Sequence, residues 1–217
     1  MSGRLRSITA LAGILGPACF VGGWLLAAAL RPGFSNTQQA ISQLAREGAP
    51  HRLLMTGAFV AFGLLMPVFA KPLARALGGG LLLRAAVTLA GLATLAVACC
   101  PLSASGSGTR DLIHGAFATT GYVAIVASAG LGAMALGRRR VVASAVSAAV
   151  ALVAAASLAM TLTGHDVGLF QRGGLTVIDL WFVVIAISVL RNSSSEAPGP
   201  LTAWPIAFDD SDSPSSS

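Results

Sequence analysis

The chain has 217 residues, 55% of them hydrophobic and 10% charged, with a formal net charge of +6 and a mean hydropathy of +0.78. A soluble domain carries roughly 25% charged residues, so an ordinary water-soluble fold is excluded and a membrane protein is indicated. The positive charge calls for no nucleic acid, because the basic residues flank apolar runs, where they anchor spans.

Six runs reach the roughly 17–25 residues that a bilayer crossing takes; they are 8–30, 53–70, 85–102, 112–137, 141–163 and 173–190. So little chain lies between them that residues 1–191 should form one domain. The expected fold is all-α, a polytopic bundle of six transmembrane helices. The first run follows Arg4 and Arg6 and has 23 uncharged residues, longer than the apolar core of a cleaved secretory signal. Pro17 within it and Pro67 in the second run should kink their helices, neighbours satisfying the freed carbonyls. Trp24 falls where an indole ring favours the interface.

Residues 31–52, RPGFSNTQQAISQLAREGAPHR, form the one long polar connection. Ser35 and Gln38 fit a capping box, and Ala40, Ile41, Leu44 and Ala45 recur at helical spacing. Gly48 can end a helix in the left-handed region and Pro50 forbids its continuation. The pattern predicts a short amphipathic helix over 36–47 lying on the outer face. With Ser42, Leu44 and His51 it would be a lid over a site between the spans.

Small residues recur every four positions in the next three runs, at Ala86, Ala90, Thr94 and Ala98, at Thr120, Ala124, Ser128 and Gly132, and at Ala143, Ser147, Ala151, Ala155 and Ala159. In lipid such stripes let backbones approach closely. Cys19, Cys99 and Cys100 give no disulfide framework and read as small packing residues. The cytoplasmic halves have almost no polar residues and no internal repeat is convincing, so a transporter ranks last among the functions considered.

Of the 14 Lys and Arg residues, nine (Arg4, Arg6, Lys71, Arg75, Arg84, Arg138, Arg139, Arg140, Arg191) fall on one side and five (Arg31, Arg46, Arg52, Arg110, Arg172) on the other. The positive-inside rule then places both termini in the cytoplasm and the 31–52 connection outside. Residues 192–217 carry eight Ser, four Pro and four acids without Lys or Arg. This composition predicts a disordered tail, in which Trp204–Phe208 is an apolar island that could dock a partner.

Outside the tail the acids are Glu47, Asp111, Asp166 and Asp179 and the histidines His51, His114 and His165, all at the outer ends of spans. Asp111 and His114 share a helix face. Asp179 lies inside the last run, where a carboxylate costs about 2.5–3.5 kcal/mol and should face the bundle beside a partner; His114 and Arg172 are the candidates. One reading makes Asp179 a buried clamp. The other makes Asp111, His114, His165, Asp166, Arg172 and Asp179 the lining of an outward-facing polar pocket. His114, His165 and Asp179 would be the metal ligands of a catalytic version, but no HExxH or paired-histidine spacing supports one, and no cofactor is expected.

Ser42-Gln43-Leu44 followed by Gly48-Ala49-Pro50, His114 at the start of the fourth span and Gly168-Leu169-Phe170-Gln171-Arg172 before the last resemble a bacterial integral membrane family, the domain of unknown function 998. The resemblance covers about residues 8–191. It implies a six-span inner-membrane protein and gives weight to Arg172, with no reaction attached. Gln171 stands where members commonly have Glu. The function expected is the binding of a lipid-like or small amphiphile, with membrane lipids as the partners; a membrane-embedded hydrolase at the outer leaflet is the alternative.

Overall fold

The computed structural model describes residues 3–194, with side chains from 7 to 192. Six α-helices follow one another, α1 (Gly3–Ala29), α2 (Arg52–Leu77), α3 (Leu81–Cys99), α4 (Thr109–Leu136), α5 (Val141–Thr161) and α6 (Val167–Ser194), with 3-10 turns at Ile41–Leu44 and Gly137–Arg140. No strand occurs among the described residues. Each helix packs on its chain neighbours and α6 returns to α1, so the helices form a closed ring. Lesser contacts of α2, α4 and α6 across the ring fill its centre.

Five helical stretches are long and apolar enough to cross a membrane: Ser7–Ala29, Arg52–Leu77, Leu81–Cys99, Thr109–Thr161 and Val167–Asn192. The fourth, of 53 residues, contains α4 and α5. The chain is a multi-pass membrane protein by these features. Its surface agrees, since Leu53, Leu81, Leu82 and Leu152 are largely exposed, as a hydrocarbon solvent permits. The core lies between α2 and α6, where Phe69 and Phe182 meet edge to face at 6.4 Å among fully buried Met66, Leu73, Ile178 and Ile185.

Helix ends depart from the apolar runs where capping or docking decides them. α2 continues through Pro67 and Pro72 to Leu77, where Gly78 at φ 72° turns its N–H back to the carbonyls of Ala74 and Arg75. α6 starts at Val167, not 173, so Gln171 and Arg172 are helical. It also runs to Ser194, so 192–194 belong to the helix. The remainder of the expected disordered tail, with its Trp204–Phe208 island, lies outside the described residues.

The amphipathic helix expected over 36–47 does not form. Ala40 is extended at φ −61° and ψ 151°, separating a turn over 36–38 from a 3-10 helix over Ile41–Leu44. Ser35 still caps, its Oγ accepting the Gln38 N–H at 3.3 Å, but the reciprocal bond comes from Gln39, whose Oε1 accepts the Ser35 N–H at 3.0 Å. The backbone groups a helix would use are taken by α6 instead. The Ile41 N–H donates to Gln171 Oε1 at 2.8 Å, and the Asn36 and Gln39 carbonyls accept from Arg172. Tertiary bonds outcompete a helix too short to be stable alone. Ile41, Leu44 and Ala45, the expected apolar stripe, are buried all the same.

The small-residue stripes are largely inside, with Ala90, Ala124, Ser128, Ala143 and Ser147 buried, although Thr120 and Ala159 are exposed. The crossing of α2 and α3 uses glycines outside those stripes. A Cβ on Gly91 would stand 2.6 Å from Pro67 Cδ and 2.9 Å from the Gly63 carbonyl, which no side-chain rotation relieves. Gly91→Ala should therefore destabilise the bundle by about 1–3 kcal/mol, read as a lower midpoint of thermal unfolding in detergent. Gly130→Ala, with nothing within 4 Å, should not lower it.

Candidate functional site

The 31–52 connection is held to the bundle at several points. Arg172 on α6 is 7% exposed and donates from Nη1 to the carbonyls of Asn36 at 2.7 Å and Gln39 at 2.8 Å. Its guanidinium carbon lies 5.2 Å from the ring centre of Trp24 on α1 and 5.5 Å from that of Phe34 in the connection. One residue before it, Gln171 accepts from Ile41, and Leu169 N–H donates to the Thr37 carbonyl at 2.8 Å. Gly168 gives the room for this, since a Cβ there would collide with the Gln39 and Asn36 carbonyls and Arg172 Nη1. The Gly168–Arg172 sequence is thus a dock for the connection.

A second set of bonds joins the connection to residues 100–110. Arg46 Nε donates to the Ser103 carbonyl at 2.8 Å and Nη2 to that of Ala104, Glu47 N–H donates to the Leu102 carbonyl at 3.0 Å, and Glu47 pairs with Arg110 at 2.6 Å. Arg31 Nη1 donates to the Gln43 carbonyl at 2.7 Å. The lid of the sequence reading is therefore a fixed roof.

Beneath it lies a cavity of about 60 Å³, room for a few waters at roughly 10–15 Å³ each. Ile41 and Ser42 roof it, and Phe20, Phe59, Phe62 and Phe117 supply aromatic wall from α1, α2 and α4. Phe117 is 37% exposed, so the cavity borders the lipid-facing surface. The polar side chains lining it are Ser42, Thr94, Tyr122, Gln171 and Asp179. Asp179 stands twelve residues into α6, about 18 Å from its start at 1.5 Å per residue. It is 4% exposed and its Oδ2 has no hydrogen-bond partner. Tyr122 is also buried and its hydroxyl lacks a partner, lodged over Gly174 beside Ser157.

The six residues expected to line one pocket are not brought together. Asp179 alone lines the cavity, with Ser42 of the expected lid. Asp111 closes the 100–108 loop, accepting from the Ser103 N–H at 2.7 Å and hydroxyl at 2.8 Å. His114 is buried, its Nδ1 bound to the Cys100 carbonyl at 2.6 Å and its Nε2 without a partner. His165 and Asp166 are exposed in the turn before α6, and His51 is exposed at φ 53° ahead of α2. Leu44 is buried but does not line the cavity.

Neither expected partner reaches Asp179. No ion pair reaches Asp179 among the described residues, and Arg172 is turned up to the connection. No three His, Cys, Asp or Glu of the described residues come close enough to hold a metal ion. The cavity's aromatic residues went unnoticed in the sequence. Four phenylalanines scattered over apolar runs look the same whether they face lipid or a cavity.

A model of the family described as "Protein of unknown function (DUF998)" matches residues 14–188. No curated protein and no solved structure matches the chain.

Gly168→Ala should lift the connection off α6, at a cost of about 1–3 kcal/mol from overpacking. Protease cleavage within 31–52 should rise while the helices stay inserted. Gly173→Ala, five residues along the same helix with nothing within 4 Å, should leave cleavage as in wild type.

Proposed function

Given that the chain belongs to the DUF998 family, a membership that brings no activity with it, we propose that it binds a lipid-like or other small amphiphile in the cavity beneath the 31–52 connection. The observation that carries this reading is the cavity's make-up: aromatic wall on several sides, a buried acid with an unpartnered oxygen inside, and a border at the lipid-facing surface. Ligand sites are mostly apolar concavities with a few placed polar groups, and this has that form. The polar end of an amphiphile can meet Ser42, Thr94, Gln171 or Asp179 inside while its apolar chain lies along the lipid-facing surface beside Phe117. The role is binding, without a reaction. The acids and histidines that catalysis would need are dispersed, and three of them, His51, His165 and Asp166, face solvent.

The topology belongs to the same proposal. The 53-residue stretch Thr109–Thr161 would be about 80 Å long as one helix, far more than a hydrocarbon core of about 30 Å. Its division at Gly137–Arg140 makes two crossings and six in all. Arg138 and Arg139 are exposed at that turn, whereas Arg31, Arg46, Arg110 and Arg172 at the other end are engaged with carbonyls or Glu47. We place the first end in the cytoplasm of a bacterial inner membrane, with both termini, and the connection outside.

Two measurements test this. Single cysteines at Gln43 and Ser105 of a cysteine-free variant should react with an impermeant thiol reagent in intact cells, and one at Gly79 should not; the opposite pattern inverts the topology. A dodecyl probe carrying a photoreactive diazirine should mark cavity residues such as Phe62, Val97 and Ile125, with the yield falling severalfold in Ala118→Leu, which narrows the cavity. Marking confined to lipid-facing residues such as Leu152 and Leu180 would overturn the binding site.

A further inference from the structure

The cavity's polar groups are unequal. Thr94 Oγ1 is bound to the Ala90 carbonyl at 2.8 Å and Gln171 Oε1 to the Ile41 N–H at 2.8 Å. The Tyr122 hydroxyl and Asp179 Oδ2 are instead buried and unpartnered, and Asp179 has no ion pair among the described residues. It is also the only acid or base among the residues lining the cavity. A carboxylate in such surroundings lacks the hydrogen bonds and opposite charge that stabilise its ionised form, and what it lacks a ligand can supply.

Resting on the binding site proposed above, we propose that the ligand is an organic ammonium, its N–H groups donating to the Asp179 carboxylate while the aromatic wall surrounds the rest of the head. Two independent features converge on that class. The acid supplies the opposite charge and the acceptors that an ammonium's donors need. The rings of Phe20, Phe59 and Phe62, with centroids 6.0 Å and 5.5 Å apart in the two pairs that Phe20 makes, line the same cavity, and an aromatic face attracts a desolvated cation. An anionic head is disfavoured because Arg172, the nearest cation along α6, is absent from the cavity lining and turned to the connection. A neutral alcohol could accept or donate one hydrogen bond, but it brings no positive charge to stabilise the ionised form of Asp179.

An alkylammonium can come from a long-chain amine or lipid headgroup, or from a small free amine. Competition against the dodecyl photoprobe in neutral-lipid nanodiscs separates these. Dodecylammonium should displace the cavity label at least about tenfold more effectively than dodecanol, and dodecanoate should be weakest. Asp179→Asn, which keeps shape and hydrogen bonding but removes the charge, should erase the preference for the amine while the probe still labels the cavity. If dodecanol competes as well as dodecylammonium in wild type, or the preference survives in Asp179→Asn, the ammonium assignment falls and the binding site stands. Labelling that no competitor displaces overturns both. Butylammonium competing as well as dodecylammonium upholds the ammonium head and overturns the amphiphile. The wild-type comparison decides the matter even where Asp179→Asn does not fold.

Discussion

A buried guanidinium with no carboxylate beside it has to be solvated by something, and around Arg172 two carbonyls at Nη1 and two aromatic rings do so, while Nε and Nη2 have no hydrogen-bond partner. Hydrogen bonds to a charged group contribute about 1.5–3 kcal/mol each, and a desolvated cation on an aromatic face about 2 kcal/mol. These contacts join α1 through Trp24, the connection through Phe34, Asn36 and Gln39, and α6 through Arg172 itself. The ring of helices closes between α6 and α1, so this one side chain sits at the seam. Without it the connection would keep the bonds to Gln171 and to residues 102–110 but lose its grip over the seam.

The cavity follows from that arrangement. A helix over 36–47 would have satisfied its own backbone and rested on the surface, its polar face to water. Drawn down onto α6, the connection presents Ile41 and Ser42 to the bundle's interior instead. Glycines then set how closely the walls approach: Gly63 and Gly91 bring α2 against α3, and Gly168 lets the roof settle on α6. What stays open is lined by ring carbons, two hydroxyl-bearing aliphatic side chains, an amide, a phenol and the acid of Asp179.

Much of this architecture was legible in composition, because a hydrocarbon solvent demands long apolar helices and leaves few alternatives. The left-handed Gly48 and the inward position of Asp179 were legible for physical reasons, a chain reversal before Pro50 and the cost of an acid in lipid. The 36–47 helix was misread because local periodicity cannot register hydrogen bonds made to residues some 130 positions away. Of the six residues expected to share a pocket, Asp179 lines the cavity. Asp111 and His114 were correctly placed on one helix turn, yet each is occupied by a local carbonyl or serine. The start of α6 was missed because Gln171 and Arg172 lower the hydropathy of a turn that docking makes helical. Gly168-Leu169-Phe170-Gln171-Arg172 stood out as a motif, and its purpose became visible only when Gly168 was seen against the Gln39 carbonyl.

The separation between Arg172 and its acceptors, 136 and 133 residues, also sets a clock for biogenesis. Chains grow at about 5–20 residues per second, so on the order of ten seconds pass between synthesis of the connection and synthesis of the residue that fastens it. Throughout that interval the carbonyls of Asn36 and Gln39 and the N–H of Ile41 are without their partners on α6. The roof is therefore fastened to α6 late, and a nascent chain stalled before residue 172 would carry the roof with its bonds to residues 102–110 but without the grip of Arg172.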